Sequence, residues 1–158
     1  MLREIREIDA YYAFIAEMKA DEAIGDGGLK TLEQYFDDIK RALLSDDEQV
    51  YAIEDDGKIR GFFVFLFLDK EKYSEMLVGL AKEAEVYEQM FAYVKEKHRG
   101  YELEMVINAR NVVLRRVLAN MGAEFDCEQL NMYLDGKKTF SMSEKVCEYR
   151  EEFYDSYR

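Results

Sequence analysis

The stretch NARNVVLRRVLANMGAEF, residues 108–125, decides the fold of this chain. Its apolar residues recur at helical spacing, and Gly122 stands where such a helix would end. Asparagine is among the best residues for capping a helix N-terminus, so Asn108 or Asn111 caps this helix and a turn explains the other. Asparagines at such a junction could equally hold a ligand. The residues themselves leave capping and ligand binding open.

Strand and helix patterns lie on both sides of this stretch. The predicted strands are 2–7, 49–54, 58–68, 73–80, 101–107 and 125–134, the last as one bent strand or two short ones. Predicted helices follow Asp9 and the capping pattern Thr31 with Gln34. A further helix spans residues 82–98, and a final helix spans 141–158. The succession strand, helix, strand over 73–107 requires a parallel strand pair covered by helices. The fold class is therefore α/β with a mixed sheet.

Composition narrows the classes of function. The chain has 158 residues, 49% of them hydrophobic, and a net charge of −12, which suits one domain with a substantial core. The negative charge argues against nucleic acid or an anionic membrane as a partner and favours a cationic substrate. No apolar run approaches the ~20 residues of a membrane span, and Cys127 and Cys147 lack metal-ligand spacing. These features predict a cytoplasmic protein with no metal site.

Three segments, in this order, resemble the GCN5-related N-acetyltransferase (GNAT) superfamily. The first is LREIREIDAYY, residues 2–12, a strand that leads into a helix. The second is VYAIEDDGKIRGFFVF, residues 50–65, a hairpin with Gly61 in its second strand. In the opening stretch, the matching positions are Asn111, Leu114, Val117, Gly122 and Phe125. The resemblance covers about residues 1–134 and implies a GNAT-like mixed sheet flanked by helices.

The resemblance implies acetyl-coenzyme A as the cosubstrate. It places the pantetheine arm in a gap between two parallel strands, here 73–80 and 101–107, and the diphosphate at the N-terminus of the following helix. The residues that would contact the coenzyme are Val78, Gly79, Leu80, Lys82, Asn108, Asn111 and Arg115. Arg115 has a second interpretation, which is an ion pair with a nearby acid such as Glu124.

The resemblance also implies a carboxylate that deprotonates the acceptor amine and an acid that protonates the departing thiolate. Glu75 is the predicted base and Glu104 the second choice, although either could be an ordinary solvent-facing strand residue. Many members of the family carry a tyrosine seven residues after the asparagine, where this chain has Leu118. Tyr87 is therefore the predicted acid, with Tyr133 as the other candidate.

The diphosphate loop departs from the family pattern, in which glycines let backbone N–H groups approach the phosphates. If Lys82 takes the basic position, Glu85 and Tyr87 stand where the glycines belong, and Glu83 adds another acid. Carboxylates at this place oppose a bound diphosphate. The resemblance thus implies an N-acetyltransferase acting on a primary amine of a small molecule or peptide, and the altered loop leaves open the alternative of a catalytically silent GNAT-like module that binds no coenzyme A.

Residues 135–158 are predicted to extend the GNAT-like domain of residues 1–134 by one helix. This helix carries an apolar stripe, formed by Val146, Tyr149, Phe153 and Tyr157, that has to be buried. Two partners stay open for it: the same domain, or a second copy of the chain in a homodimer.

Overall fold

The computed structural model describes residues 1–127. The chain divides into two compact units, Met1–Glu124 and Phe125–Arg158, and the architecture below is that of the first. The predicted strand 125–134, helix 141–158 and domain boundary after residue 134 lie wholly or mostly outside the described residues. Whether that helix packs on its own domain or in a homodimer stays open for the same reason.

Within the first unit, the order of strands and helices agrees with the prediction. The elements are β1 (Leu2–Glu4), a 3₁₀ turn (Asp9–Tyr11), α1 (Tyr12–Ala20), α2 (Leu32–Ala42), β2 (Glu48–Asp55), β3 (Lys58–Leu68), β4 (Tyr73–Ala81), α3 (Ala84–Lys97), β5 (Glu102–Met105) and α4 (Val112–Asn120). In the described part of the chain, no helix combines the length and apolarity needed to cross a membrane.

The strands form one sheet in the order β1-β2-β3-β4-β5. The pairs β1–β2, β2–β3 and β3–β4 are antiparallel, whereas β4 and β5 are parallel. The predicted parallel pair and the α/β mixed sheet are therefore confirmed. The β2–β3 hairpin turns through Asp56 and Gly57, whose φ angles of 47° and 73° match the primed turns that suit the twist of two antiparallel strands.

Both faces of the sheet are covered. On β3, Phe62 and Val64 belong to the core beneath α1 and α2, while Phe63 and Phe65 belong to the core beneath α3 and α4. All four side chains are almost fully buried, and burying each phenylalanine contributes about 1.5–3 kcal/mol. This double coverage explains why β3 is hydrophobic nearly throughout.

Of the two helix caps predicted in the first half of the chain, one is confirmed and one is wrong. The predicted capping box is present before α2, where the Gln34 amide N–H donates to Thr31 Oγ1 at 3.2 Å and the Thr31 amide donates to Gln34 Oε1 at 2.9 Å. The prediction that Asp9 caps the first helix is wrong. Asp9 lies in the 3₁₀ turn, and α1 begins at Tyr12 without a side-chain cap.

Gly61 lets α3 approach the sheet closely. A Cβ atom at Gly61 would lie 2.5 Å from Val86 Cγ1, far inside normal contact. Val86 is in the first turn of α3, so the absence of a side chain at Gly61 allows this end of the helix to pack closely against the sheet. The next residue, Tyr87, is thereby brought to the edge of β4.

Candidate functional site

The parallel strands β4 and β5 stay together for only four residue pairs. Their register runs from Tyr73 opposite Glu102 to Met76 opposite Met105, after which β5 ends and β4 continues. A β-bulge lies at this point, because Val64 of β3 pairs with Val78 and the next residue, Phe65, pairs with Met76, which leaves Leu77 as the extra residue. Beyond Leu77, β4 has a strand partner only on its β3 side among the described residues.

The open edge of β4 is occupied by the side chain of Tyr87. The Tyr87 hydroxyl donates to the Ala81 carbonyl at 2.9 Å and accepts from the Ala81 amide N–H at 3.2 Å, and the Gly79 carbonyl lies 3.4 Å away. Residues 79 and 81 direct their backbone groups to the same side of the strand because they are two positions apart. A tyrosine hydroxyl here replaces the missing neighbouring strand.

Asn111 connects this tyrosine to α4. Its Oδ1 accepts from the Leu114 amide N–H at 2.9 Å, which caps the helix as predicted. Its Nδ2 donates to the Tyr87 hydroxyl at 3.2 Å, and the residue is only 4% exposed. One asparagine therefore has two structural functions, since it starts α4 and holds Tyr87 against β4.

These contacts use the full hydrogen-bonding capacity of the Tyr87 hydroxyl, which has one hydrogen to donate and two lone pairs. Burial raises the pKa of Tyr87, although its hydrogen bonds with Asn111 and Ala81 partly oppose that rise. The phenol therefore stays neutral at physiological pH. In this arrangement it has no hydrogen for a leaving thiolate, so the structure gives the predicted acid a structural function instead.

The connection between β4 and α3, expected to hold a diphosphate, consists of Lys82 and Glu83 alone. Lys82 Nζ lies 2.7 Å from Glu17 Oε1, and this hydrogen bond raises the pKa of the lysine. Glu83 pairs with Arg60 at 3.0 Å and gives α3 no side-chain cap. The cation and one acid thus have internal partners, and Glu85 adds a negative charge in the first turn of the helix.

Asn108 lies at the mouth of the same region. Its Nδ2 donates to the carbonyls of Glu22 and Gly25, both at 2.9 Å, which ties the α1–α2 loop to the β5–α4 loop. Arg110 adds an ion pair to Glu22 at 3.1 Å. A cleft of about 120 Å³ remains between the two loops, bordered by Ala81, Lys82 and Asn111 among others. Arg115, exposed on α4, donates to the Ala109 carbonyl at 3.2 Å.

The predicted base lies on the other face of the sheet. Met76 belongs to the core beneath α3 and α4, so the preceding Glu75 points to the opposite face. There Glu75 is directly opposite Glu104 of β5, and the Tyr73 hydroxyl donates to Glu104 Oε2 at 3.0 Å. The structure thus brings Glu75 and Glu104 together and separates both from Tyr87.

The remaining predicted coenzyme contacts divide between the two faces. Val78 and Leu80 pack towards α1 and α2, whereas Gly79 contributes its carbonyl to the open edge. Three partners were not predicted: Ala81, Glu17 and Arg60, which bond to Tyr87, Lys82 and Glu83. No local pattern marks them, because Glu17 and Arg60 are distant in sequence from their partners and Ala81 contributes only its backbone atoms. Within residues 1–127, no group of acidic, histidine or cysteine side chains could hold a metal ion.

Several solved structures share this architecture at low sequence identity. A protein described as a possible acetyltransferase from Clostridium difficile 630 aligns with a TM-score of 0.59 and 12% identity over 85% of this chain and 97% of its own. A predicted acetyltransferase with acetyl-CoA from Clostridium acetobutylicum gives a TM-score of 0.61 and 14% identity over 84% and 95%. Ribosomal-protein-alanine N-acetyltransferase from Brucella melitensis gives 0.56 and 18% over 77% and 83%.

No protein-family model and no curated protein matches the sequence significantly. At 12–18% identity the structural likeness concerns the fold. It covers most of the chain, and the proteins that share it include acetyltransferases from several bacteria. Together with the bulge in β4 and the end of its pairing with β5, it shows that this chain has the GNAT fold that its sequence predicted.

Proposed function

We propose that this chain is an N-acetyltransferase that transfers an acetyl group from acetyl-coenzyme A to a primary amine. The observation that carries the proposal is the end of the β4–β5 pairing at the Leu77 bulge, in a fold shared with solved acetyltransferases, among them a predicted acetyltransferase with acetyl-CoA. An open strand edge presents backbone N–H and C=O groups in a row, which suits an extended arm that carries amides. The backbone from Val78 to Leu80 would bind that arm, with Gly79 offering its groups on the open edge.

In the proposed reaction, the amine nitrogen attacks the thioester carbonyl, a C–N bond forms and the C–S bond breaks. The amine gives its proton to the Glu75 carboxylate, directly or through water, and the departing thiolate takes a proton from solvent. Glu75 is half-buried beside the bulge, with Glu104 opposite. Two carboxylates in a chain of net charge −12 favour a cationic amine, which can belong to a small molecule or a peptide.

The other end of the coenzyme has less support. Lys82, Asn108, Asn111 and Arg115 are proposed as contacts of the diphosphate and nucleotide, and each now has an internal partner. The connection between β4 and α3 contains no glycine and thus offers no close backbone approach. The edge of β4 would suit the pantetheine arm once Tyr87 has left it, whereas this connection does not fit the diphosphate in its present arrangement.

This poor fit favours a second candidate function, a catalytically silent GNAT-fold module that binds no coenzyme A. Glu83 and Glu85 lie at the N-terminus of α3, where a diphosphate would add two further negative charges. Without a glycine loop, the repulsion between these charges has no compensating backbone contacts. Such a module would serve as a binding or structural unit.

An acetylation assay with a panel of primary amines separates the two candidates. Acetyl transfer by the wild type, reduced about 10²–10⁴-fold in kcat by Glu75→Gln, is expected for the enzyme because that is the usual contribution of a general base. Glu71→Gln, in the exposed β3–β4 turn, is the matched control and should keep the wild-type rate. Absence of both turnover and acetyl-coenzyme A binding at millimolar ligand would eliminate the enzyme and leave the silent module.

A further inference from the structure

We propose that Tyr87 is an internal occupant of the coenzyme slot, which it keeps closed until an acyl-pantetheine arm displaces it. The inference rests on the proposed acetyl-coenzyme A site and adds the regulation of that site. It is an autoinhibitory contact made by a side chain of the same domain.

The first argument is that ligand and side chain need the same atoms. An arm that pairs with the open edge of β4 requires the backbone groups that point away from β3, and the bonds made by Tyr87 show that these belong to Gly79 and Ala81. The Tyr87 hydroxyl is bonded to both polar groups of Ala81 and lies near the carbonyl of Gly79. Tyr87 and the arm therefore exclude each other.

The second argument concerns how the closed state is held. Tyr87 is 0% exposed and packs edge-on against Phe63, with ring centroids 5.9 Å apart. Asn111, fixed by its capping bond to Leu114, donates to the hydroxyl from the α4 side. Displacing the ring leaves buried groups of Ala81 and Asn111 without partners, and amides of the incoming arm can satisfy them again.

The third argument is space. The cleft beside Ala81 and Asn111 measures about 120 Å³, whereas pockets that bind drug-sized ligands occupy roughly 300–1,000 Å³. Asn108 and the Arg110–Glu22 pair hold the α1–α2 loop across its mouth. The volume of the phenol ring has to be released before an arm can lie along β4.

Calorimetric titration of two ligands into paired variants tests this inference. The ligands are acetyl-coenzyme A and S-acetylpantetheine, of which the second lacks the diphosphate. The variants are Tyr87→Leu and Tyr87→Ala, with Phe91→Leu and Phe91→Ala as matched controls. Phe91 lies one turn further along α3 in the same core and is equally buried, but it has no contact with the β4 edge through a polar atom.

We expect both Tyr87 variants to bind S-acetylpantetheine at least about tenfold more tightly than the wild type, because a slot that is open less than ~10% of the time weakens apparent affinity by that factor. The Phe91 variants should stay within about threefold of the wild type. If Tyr87→Ala does not fold, Tyr87→Leu provides the comparison. Amide exchange at Ala81 gives a second measurement, and it should become faster in Tyr87→Leu than in Phe91→Leu.

Each outcome is decisive. Wild-type affinity equal to that of the Tyr87 variants would overturn the occupancy by Tyr87 and leave the acetyltransferase intact. Tighter binding of S-acetylpantetheine by the Tyr87 variants, with no binding of acetyl-coenzyme A by any variant, would support Tyr87 as the occupant and reject the proposed function. Equal gains in the Phe91 variants would attribute the effect to a loosened core and overturn the inference. Failure of every variant to bind either ligand would also overturn the inference.

Discussion

The two halves of β4 satisfy their outer backbone edge in different ways. From Tyr73 to Met76 the strand pairs with β5 in regular parallel register. From Leu77 to Ala81 no strand lies there among the described residues, and the Tyr87 hydroxyl bonds to the Ala81 backbone instead. Within a few residues of the same strand, the backbone ladder with β5 gives way to the single side chain of Tyr87.

The difference shows how a fold can keep the strand arrangement of a binding site while one of its own side chains fills the space for the ligand. The bulge at Leu77 and the end of β5 at Met105 leave the second half of β4 without a parallel neighbour among the described residues. A buried strand edge without partners is costly, so something must cover it when no ligand is bound. In this chain Tyr87 does so, from a position where the resemblance places a glycine.

The largest expected effect comes from breaking the half of β4 that depends on Tyr87. Tyr87→Ala should lower the free energy of unfolding by about 3–5 kcal/mol, because it removes a fully buried aromatic side chain. Tyr87→Phe keeps the ring and should cost about 1–3 kcal/mol, because buried groups of Ala81 and Asn111 lose their partner. Urea unfolding monitored by circular dichroism measures both changes.

Tyr12→Phe is the control for loss of a tyrosine hydroxyl. Tyr12 is 52% exposed, and its change should stay within about 0.5 kcal/mol of the wild type. A Tyr87→Phe variant as stable as Tyr12→Phe would show that the hydroxyl is not needed to cover the β4 edge. The contrast between the two halves of the strand would then be wrong.

The next effect comes from the link between Tyr87 and α4. Asn111→Ala should cost about 1–2 kcal/mol through loss of the helix cap alone, and more through the lost bond to Tyr87. A double-mutant cycle with Tyr87→Phe isolates that bond and should give a coupling of about 0.5–3 kcal/mol. Asn120→Ala, at the exposed end of α4, provides the control. Strictly additive effects would show that Asn111 caps α4 without holding Tyr87.

Local patterns in the sequence predicted the elements well. The range 58–68 matches β3 residue for residue, since its apolar run is long and bounded by turn residues. The pair Thr31 and Gln34 predicted a capping box that is present. The sequence leaves Asn111 as a cap or a ligand contact, and in the structure its side-chain oxygen Oδ1 accepts the capping bond from the Leu114 amide. In each case the deciding interaction lies within a few residues.

The site could not be predicted to the same degree, because its contacts are long-range. Lys82 pairs with Glu17, 65 positions away, and Tyr87 meets Asn111, 24 positions away. The bulge leaves no mark either, since Leu77 stands in a run of apolar residues on β4. Asp9 shows the converse error, in which a good capping residue is overruled by a 3₁₀ turn. Only the folded chain decides which side chain covers the open edge.

A smaller effect is expected in the half of β4 that pairs with β5. Ser74 is fully buried, and its hydroxyl donates to the Glu102 carbonyl at 2.8 Å. Ser74→Ala should cost about 0.5–1.5 kcal/mol, the usual contribution of one hydrogen bond, because the backbone ladder still holds the strands together. Ser74→Cys, which keeps a weak donor, should cost less. A loss as large as that of Tyr87→Ala would mean that both halves depend equally on a single side chain.

The smallest effect concerns the acidic residues beside the paired half of β4, on the face of the sheet away from α3 and α4. Glu75 and Glu104 stand opposite each other, and Glu104→Gln should raise the free energy of unfolding by less than about 0.5 kcal/mol, since exposed charges are screened by water. Added salt should reduce that gain because it screens the repulsion further. Unfolding in low and high salt measures both, and a gain unaffected by salt would contradict the electrostatic cause.

The same variant should alter the titration of Tyr73. Burial, and then the hydrogen bond to Glu104, raises the pKa of Tyr73 to about 12, and Glu75 adds to the rise. The raised pKa belongs to the folded state, so the stability it contributes is complete below the ordinary pKa near 10 and is lost as the pH rises towards 12. In Glu104→Gln the pKa should move part of the way back, because burial and Glu75 remain. Tyrosinate absorbance, taken as a difference from Tyr73→Phe in each background, measures the shift. An unchanged Tyr73 pKa would mean that Glu104 does not hold this hydroxyl. The paired half of β4 would then rely on its backbone ladder alone, while the open half relies on the Tyr87 phenol.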